Sequence, residues 1–137
     1  MNNLLQGNVL DRIKEIPSKS IQCVVTSPPY WGLRNYGEDE QLGLEDTPEE
    51  YVHNMVQVFR GVRNTMKDDG TLWLNIGDSY ASSGQFGKPG EQAIGPKELS
   101  YGRAPTPPGL KVKDLVGIPW RLAFALQRDD WFLRQDI

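Results

Sequence analysis

The sequence predicts an α/β fold built on a mostly parallel sheet. Two short apolar runs, residues 21–26 and 71–76, have the length and the β-branched and aromatic content of buried strands. A helical pattern of apolar residues lies between them, over residues 47–66. Strands that alternate with helices are typical of β-α-β units, in which the strands are parallel and helices cover the sheet.

The bulk composition is that of a soluble protein with one domain. The chain has 137 residues, 38% of them hydrophobic and 24% charged, and no apolar run of transmembrane length or signal-peptide pattern. We therefore expect a cytoplasmic protein. A single cysteine, Cys23, excludes an internal disulfide and is predicted to be a buried thiol. Together with the one histidine, His53, it gives no metal-ligand cluster, so no metal is expected.

The N-terminal segment predicts a first strand and a first helix. Residues 4–8 are interpreted as a short strand and turn, and apolar residues then recur at helical spacing from Val9 to Ile16. Pro17 ends this helix. With the strand at residues 21–26, the segment predicts a compact β-α-β unit.

The strand at residues 21–26 leads into Thr26-Ser27-Pro28-Pro29-Tyr30. Neither proline can donate to a sheet, and each fixes its own φ, so the strand must end in a stiff tip. Ligands of open α/β sheets bind beyond the carboxyl ends of strands. A serine hydroxyl and proline carbonyls beside an aromatic ring suit a planar ligand that carries an amino group. The alternative is a strand-terminating turn with a capping aromatic residue.

The next helix has a strong predicted start. Thr47 can cap it, Pro48 fits its first position, and Glu50 completes a capping box. Gly70, after two aspartates, is predicted to stop the helix in a left-handed conformation. The apolar stripe is assigned to the core and comprises Val52, Met55, Val56, Phe59, Val62 and Met66.

Gly77-Asp78-Ser79-Tyr80 follows the strand at residues 71–76. If the sheet is parallel, this segment lies at the same edge as Ser27. An ordinary turn remains the alternative interpretation for Asp78.

Residues 81–112 are rich in Gly, Pro and Ser and are predicted to form a long flexible loop. From Ser79 to Lys113 there are five basic and two acidic residues, in a chain whose net charge is -3. Such a segment could track phosphates or could be a solvated linker.

The C-terminal segment predicts a helix and a third strand. The helix begins at Pro119, is apolar nearly all round and is expected to be buried. Residues 131–137 are interpreted as a core strand within which the chain stops. We therefore expect that the chain is truncated or that the remainder is separately coded.

Thr26-Ser27-Pro28-Pro29-Tyr30, continuing as Trp31-Gly32-Leu33-Arg34-Asn35-Tyr36-Gly37, resembles the catalytic motif of amino-group DNA methyltransferases. That family motif is (Asp/Asn/Ser)-Pro-Pro-(Tyr/Phe). The resemblance implies a Rossmann-like class I three-layer sandwich, incomplete here because the family's glycine-rich cofactor motif is missing. It implies S-adenosylmethionine as cofactor, double-stranded DNA as partner and a complementing downstream chain or segment.

The resemblance also implies roles for individual residues. Ser27, Pro28, Pro29 and Tyr30 would be catalytic, and Asn8 and Asp78 would lie near the cofactor, although Asn8 equally suits a helix N-cap. The DNA contacts it implies are Arg34, Lys88, Lys97 and Arg103.

The implied reaction is methyl transfer to an exocyclic amine of a flipped base, with N4 of cytosine favoured over N6 of adenine because the motif begins with Ser27. Two alternatives stay open. One is an inactive fragment or subunit that binds DNA or a partner chain, and the other is an RNA or protein amine methyltransferase.

Overall fold

The computed structural model describes residues 3–33, 35–37, 41–81 and 106–137. Three α-helices and two strands make up its regular structure, with one short 3-10 helix. In chain order these are α1 (Val9–Arg12), the 3-10 helix Ile13–Glu15, β1 (Ile21–Thr26), α2 (Pro48–Thr65), β2 (Met66–Leu74) and α3 (Ile118–Arg128).

The two strands form a parallel pair. Val25 lies beside Trp73 and Thr26 beside Leu74, with an irregularity in the register between Ile21 and Cys23. The strands therefore end at the same edge, as a parallel sheet requires. Since α2 connects them, β1, α2 and β2 form a β-α-β unit, which confirms the predicted α/β class and parallel pairing.

Helix α2 contributes more residues to the core than any other element of the described structure. Its first turn is capped as predicted, because the Thr47 side chain accepts a hydrogen bond from the Glu50 N–H at 3.2 Å. The buried face of α2 includes Tyr51, Met55 and Phe59, and α3 packs against the same helix. The sheet contributes Val24, Leu72 and Leu74, which pack against this core.

The opposite face of the sheet is open in the described part of the chain. Val25 is 77% exposed and Trp73 is 51% exposed. The prediction of a buried Cys23 is wrong, because its side chain shares this face and is exposed. Side chains alternate along a strand, so the helix that covers Val24 cannot also cover Cys23. The described residues thus form one helical layer on a two-stranded sheet, and they do not form the whole of the predicted three-layer sandwich.

Neither terminal segment forms its predicted strand. Residues 4–8 and 131–137 have no regular structure, and Leu4 and Phe132 are 94% and 86% exposed. A strand needs a neighbouring backbone to complete its hydrogen bonds, and no described segment pairs with either. Only Trp131 of the last segment packs against the core.

Two helix boundaries differ from prediction. Helix α2 ends at Thr65 and Met66 is already extended, so Gly70 lies inside β2 instead of stopping the helix. Helix α3 begins at Ile118 and is not buried all round, because Trp120 and Phe124 are 49% and 48% exposed. These two rings pack on each other with centroids 6.1 Å apart.

The ends of the segment predicted as a flexible loop are packed together. The Ala81 N–H donates to the Asp114 carbonyl at 2.8 Å, and the Lys113 N–H donates back to Ala81 at 2.8 Å. Ala81 is buried and Leu110 packs against the core. Residues 82–105, on which the prediction of flexibility mainly falls, lie outside the described residues.

Candidate active site

The proline-rich tip, residues 27–30, stands at the shared carboxyl edge of β1 and β2. Its four residues, with Leu33 and Tyr36, line a cavity of about 310 Å³. The structure therefore brings together all four predicted catalytic residues. Leu33 and Tyr36 were not singled out from the sequence, although both lie in the stretch that resembles the methyltransferase motif.

The tip presents a hydroxyl beside an aromatic ring. The Ser27 Oγ lies 3.4 Å from the Tyr30 hydroxyl oxygen, and either group can donate in this contact. Ser27 itself is exposed. Of the backbone carbonyls, that of Pro29 accepts a hydrogen bond from the Tyr51 hydroxyl at 2.8 Å. No described residue donates to the Pro28 carbonyl, which leaves it able to accept from a ligand.

Gly77, just after β2, lets the Tyr30 ring lie close to the neighbouring backbone. A Cβ at this position would be 2.8 Å from Cε2 of the ring, which is closer than side chains pack. The Tyr30 ring therefore lies directly against the Gly77 backbone. The sequence prediction that residues 77–80 and Ser27 share an edge is confirmed by the parallel pairing.

Trp31 anchors the chain immediately after the tip. Its side chain is buried, and its indole N–H donates to the Glu45 carbonyl at 2.9 Å. The Ser79 hydroxyl donates to the Trp31 carbonyl at 2.7 Å. The tip is thus tied to the loop before α2 and to the segment after β2.

Tyr51 is a site residue that sequence reasoning missed. Its side chain is fully buried, and burial, with Glu45 nearby, raises the pKa of its hydroxyl well above the ordinary value. The phenol therefore stays protonated and donates to Pro29. Tyr51 lies four residues before Met55, so the helical periodicity could have placed it on the buried face, but not against the tip.

The two residues predicted to lie near a cofactor both cap helices. The Asn8 side chain accepts from the Leu10 N–H at 2.9 Å, which is the N-cap alternative. The Asp78 carboxylate accepts from Gly117 N–H at 3.0 Å and from Ile118 N–H at 2.9 Å, at the start of α3. The Asp78 carboxylate also accepts from the N–H of the next residue, Ser79, at 2.8 Å.

The structure does not bear on the predicted DNA contacts. Arg34, Lys88, Lys97 and Arg103 all lie outside the described residues. Within the described ranges, no group of His, Cys, Asp and Glu side chains is arranged to hold a metal ion. Every helix in those ranges is too short or too polar to span a membrane.

Comparison with known proteins shows that the chain is similar to type II methyltransferases. The type II methyltransferase M.SmaI of Serratia marcescens is 53% identical over 134 residues, which are 98% of this chain and 46% of that enzyme. M.XycI of Xanthomonas campestris pv. cyanopsidis is 53% identical over 99% of this chain and 45% of its own length. M.Cfr9I of Citrobacter freundii is 51% identical over 98% of this chain and 44% of its own length.

The chain thus spans about half the length of these curated relatives. No solved structure matches it significantly. The sequence model of the DNA methylase family matches residues 21–137, which include β1, the tip, α2, β2 and α3. The chain therefore belongs to the DNA methylase family.

Proposed function

We propose that this chain carries the base-binding part of a DNA methyltransferase that uses S-adenosylmethionine to methylate an exocyclic amine of a flipped base. The observation that carries the proposal is the cavity of about 310 Å³ at the carboxyl edge of the sheet, lined by residues 27–30. Its volume lies at the small end of the range for small-molecule sites, which suits a single base. An amine inside a duplex is out of reach, so the base must be extruded.

The chain's own residues prepare the amine for reaction. The Ser27 hydroxyl oxygen and the Pro28 carbonyl can each accept one amino hydrogen, since neither Oγ nor that carbonyl is committed to a short bond within the described residues. Two acceptors fixed on a proline-stiffened tip draw the amine toward tetrahedral geometry and localise its lone pair. Tyr30 and Tyr36 supply aromatic faces in the same cavity. Alignment of this kind is worth several orders of magnitude in rate.

S-adenosylmethionine, when bound, supplies the methyl group. The described residues fit it only in part, because the side chains at both predicted cofactor positions, Asn8 and Asp78, already satisfy helix N–H groups. The sequence also contains no glycine-rich motif of the type expected near the cofactor. We propose that the region of the relatives beyond the matched span supplies the rest of the cofactor site.

Cytosine N4 is the favoured target. This preference rests on the resemblance, in which many cytosine-specific enzymes begin the motif with Ser, as here at Ser27, and most adenine-specific ones begin it with Asp. The Ser27 hydroxyl can accept from the amine and can also donate to the ring nitrogen next to it, which is an acceptor in both bases, whereas a carboxylate could only accept. Adenine N6 is the alternative. Duplex DNA is the proposed substrate, and Arg34, Lys88, Lys97 and Arg103 stay candidates for its phosphates.

A binding module without chemistry is the second candidate. It is favoured by one observation, the use of Asn8 and Asp78 as helix caps. Such a chain would bind DNA or a partner chain and transfer no methyl group.

A labelled transfer assay tests the proposal. The full chain, joined to the region of M.SmaI that it does not span, is given duplex DNA and S-adenosylmethionine with a labelled methyl group. The DNA is then digested and its nucleosides separated. We expect the label in N4-methylcytosine. Label in N6-methyladenine would refute the base assignment, and unlabelled DNA would favour the binding module.

Ser27→Ala is the matched variant in this assay. Loss of the hydroxyl should lower transfer at least about 100-fold, in the range measured when a group that contacts the reacting atoms is removed. Ser20→Ala is the control, because Ser20 precedes the opposite end of β1 and its hydroxyl donates only to Pro17. Near-full activity of Ser27→Ala would exclude a catalytic role for the tip.

A further inference from the structure

We infer that Tyr51 is a positioning residue of the methyl-transfer site, which it serves by holding the Pro29 carbonyl and so fixing the direction of the Pro28 carbonyl and the Ser27 hydroxyl. The inference rests on the proposed function and deepens it. Tyr51 lies in the first turn of α2, outside the proline-rich motif, and its hydroxyl donates to the Pro29 oxygen at 2.8 Å.

The rigidity of α2 makes Tyr51 a firm support. The helix is capped by Thr47 one turn earlier, and its buried face continues through Met55 and Phe59. The Tyr51 side chain is 0% exposed, so its ring is enclosed and water cannot replace it at Pro29. Through this contact the packed core restrains the Pro29 carbonyl, which lies at the edge of the sheet.

The hydrogen bond from Tyr51 also makes the two proline carbonyls different from each other. Pro29 is committed to Tyr51, whereas Pro28 receives no hydrogen bond from any described donor. A base amine that enters the cavity therefore meets Pro28 as its available backbone acceptor. Without the Tyr51 hydroxyl, the Pro29 carbonyl would be left without its donor and the Pro29-Tyr30 peptide would be held from the loop alone. The tip would then be less firmly fixed, and both acceptors for the amine would be less well directed.

Gly43, in the loop before α2, lies close to the same part of the tip and is its second support. Gly43 has a φ of +95°, and a Cβ there would lie 3.0 Å from the Tyr30 carbonyl oxygen and 3.2 Å from the Pro29 Cβ. Its carbonyl accepts from the Gly32 N–H at 2.8 Å, and its own N–H donates to the Glu45 carboxylate at 2.9 Å. The Pro29-Tyr30 peptide is thus held from the helix and from the loop.

The contact itself can be observed in the full chain by NMR. Pro-Tyr occurs once in the sequence, at Pro29-Tyr30. Protein labelled with carbonyl ¹³C proline and ¹⁵N tyrosine should therefore give one carbonyl–amide correlation. Tyr51→Phe, which keeps the ring and removes the hydroxyl, should shift that signal. Tyr80→Phe is the control, because Tyr80 is 68% exposed, and it should leave the signal in place. An unshifted signal in Tyr51→Phe would overturn the inference.

Single-turnover methylation then separates positioning from a merely structural role. As in the transfer assay, the chain is joined to the region of M.SmaI that it does not span. For Tyr51→Phe we expect the rate constant to fall about tenfold or more, with the DNA concentration for half-maximal rate changed less than about twofold. The variant should remain folded at the assay temperature, as checked by its melting curve, and Ser20→Ala, at the opposite end of β1, should react as the wild type does.

A Tyr51→Phe rate equal to that of the wild type would overturn the positioning role while leaving the proposed function intact. A fall caused only by weaker DNA binding would also overturn it. If the wild-type sequence transfers no methyl group, the proposed function fails and the inference fails with it.

Discussion

At the scale of single residues, the tip is defined by which hydrogen-bonding groups are already used. Pro28 and Pro29 are neighbours of the same type, yet only the Pro29 carbonyl is bonded to a described side chain, that of Tyr51. The position of the Tyr30 ring depends on Gly77, because a Cβ at residue 77 would collide with the ring. The proposed chemistry of Ser27 depends on these neighbours.

Tyr51 should also make the stability of the chain fall at alkaline pH. Its pKa is raised in the folded state by burial and by Glu45, whereas in the unfolded chain it is about 10. Above about pH 10 the unfolded state therefore binds fewer protons, and the free energy of unfolding decreases as pH rises. Below that pH the contribution of Tyr51 is fully present.

Urea unfolding from about pH 8 to 11 checks this expectation. The free energy of unfolding should fall more steeply for the wild type than for Tyr51→Phe, since the variant lacks the titrating group. Ser20→Ala should follow the wild-type curve, because the change removes a hydroxyl that does not titrate in this pH range. Parallel curves for the wild type and Tyr51→Phe would contradict the raised pKa.

At the scale of elements, the parallel pairing of β1 and β2 puts two sequence-distant segments at one edge. The tip follows β1, and residues 75–79 follow β2. Asp78 then connects this edge to α3, whose own N-cap residue is Gly117 and offers no side chain. A carboxylate at a helix N-terminus both accepts from free N–H groups and interacts favourably with the helix dipole.

Asp78→Asn should therefore destabilise the chain by about 1–2 kcal/mol, because the amide keeps one acceptor and loses the charge. Thermal or urea unfolding measures the change. Asp69→Asn is the control: Asp69 is exposed, and only its backbone carbonyl is used, by Gln22. If Asp78→Asn kept wild-type stability and lowered only cofactor binding in the assembled enzyme, the cap would be minor and the predicted cofactor role would be favoured.

At the scale of the whole molecule, half of the sheet surface in the described structure is uncovered. Val25 and Trp73 stand side by side on the open face, and the chain spans 46% of the length of M.SmaI. Residues 27–30, Leu33 and Tyr36 line the proposed base pocket, whereas the side chains at the predicted cofactor positions are engaged as caps.

The chain by itself should therefore bind S-adenosylmethionine weakly, with a Kd above about 1 μM. Glycine-rich loops let a backbone approach such a cofactor closely, and this sequence has none of the expected type. Isothermal titration calorimetry checks the expectation. The same titration of the chain joined to the region of M.SmaI that it does not span should give tighter binding. A Kd of about 1 μM or below for the chain alone would contradict it.

The sequence by itself determined the local features of this protein. The apolar run of β1, the capped start of α2 at Thr47 and the proline-stiffened tip are each set by residues that are close along the chain, and all three were placed correctly. The four catalytic candidates, residues 27–30, were implied by the resemblance to amino-group DNA methyltransferases, and they lie together at one cavity. The local features depend on φ restriction, capping and periodicity, which short stretches of sequence carry in full.

Only the tertiary structure decided which groups meet and which faces are covered. Tyr51 and Pro29 are 22 residues apart and Asp78 and Gly117 are 39 apart, so no periodicity links them. An apolar run shows that a segment can be buried, but burial also needs a partner that packs on it. For this reason Cys23 and residues 131–137 were predicted to lie in the core, whereas the described structure leaves Cys23 and most of that segment exposed.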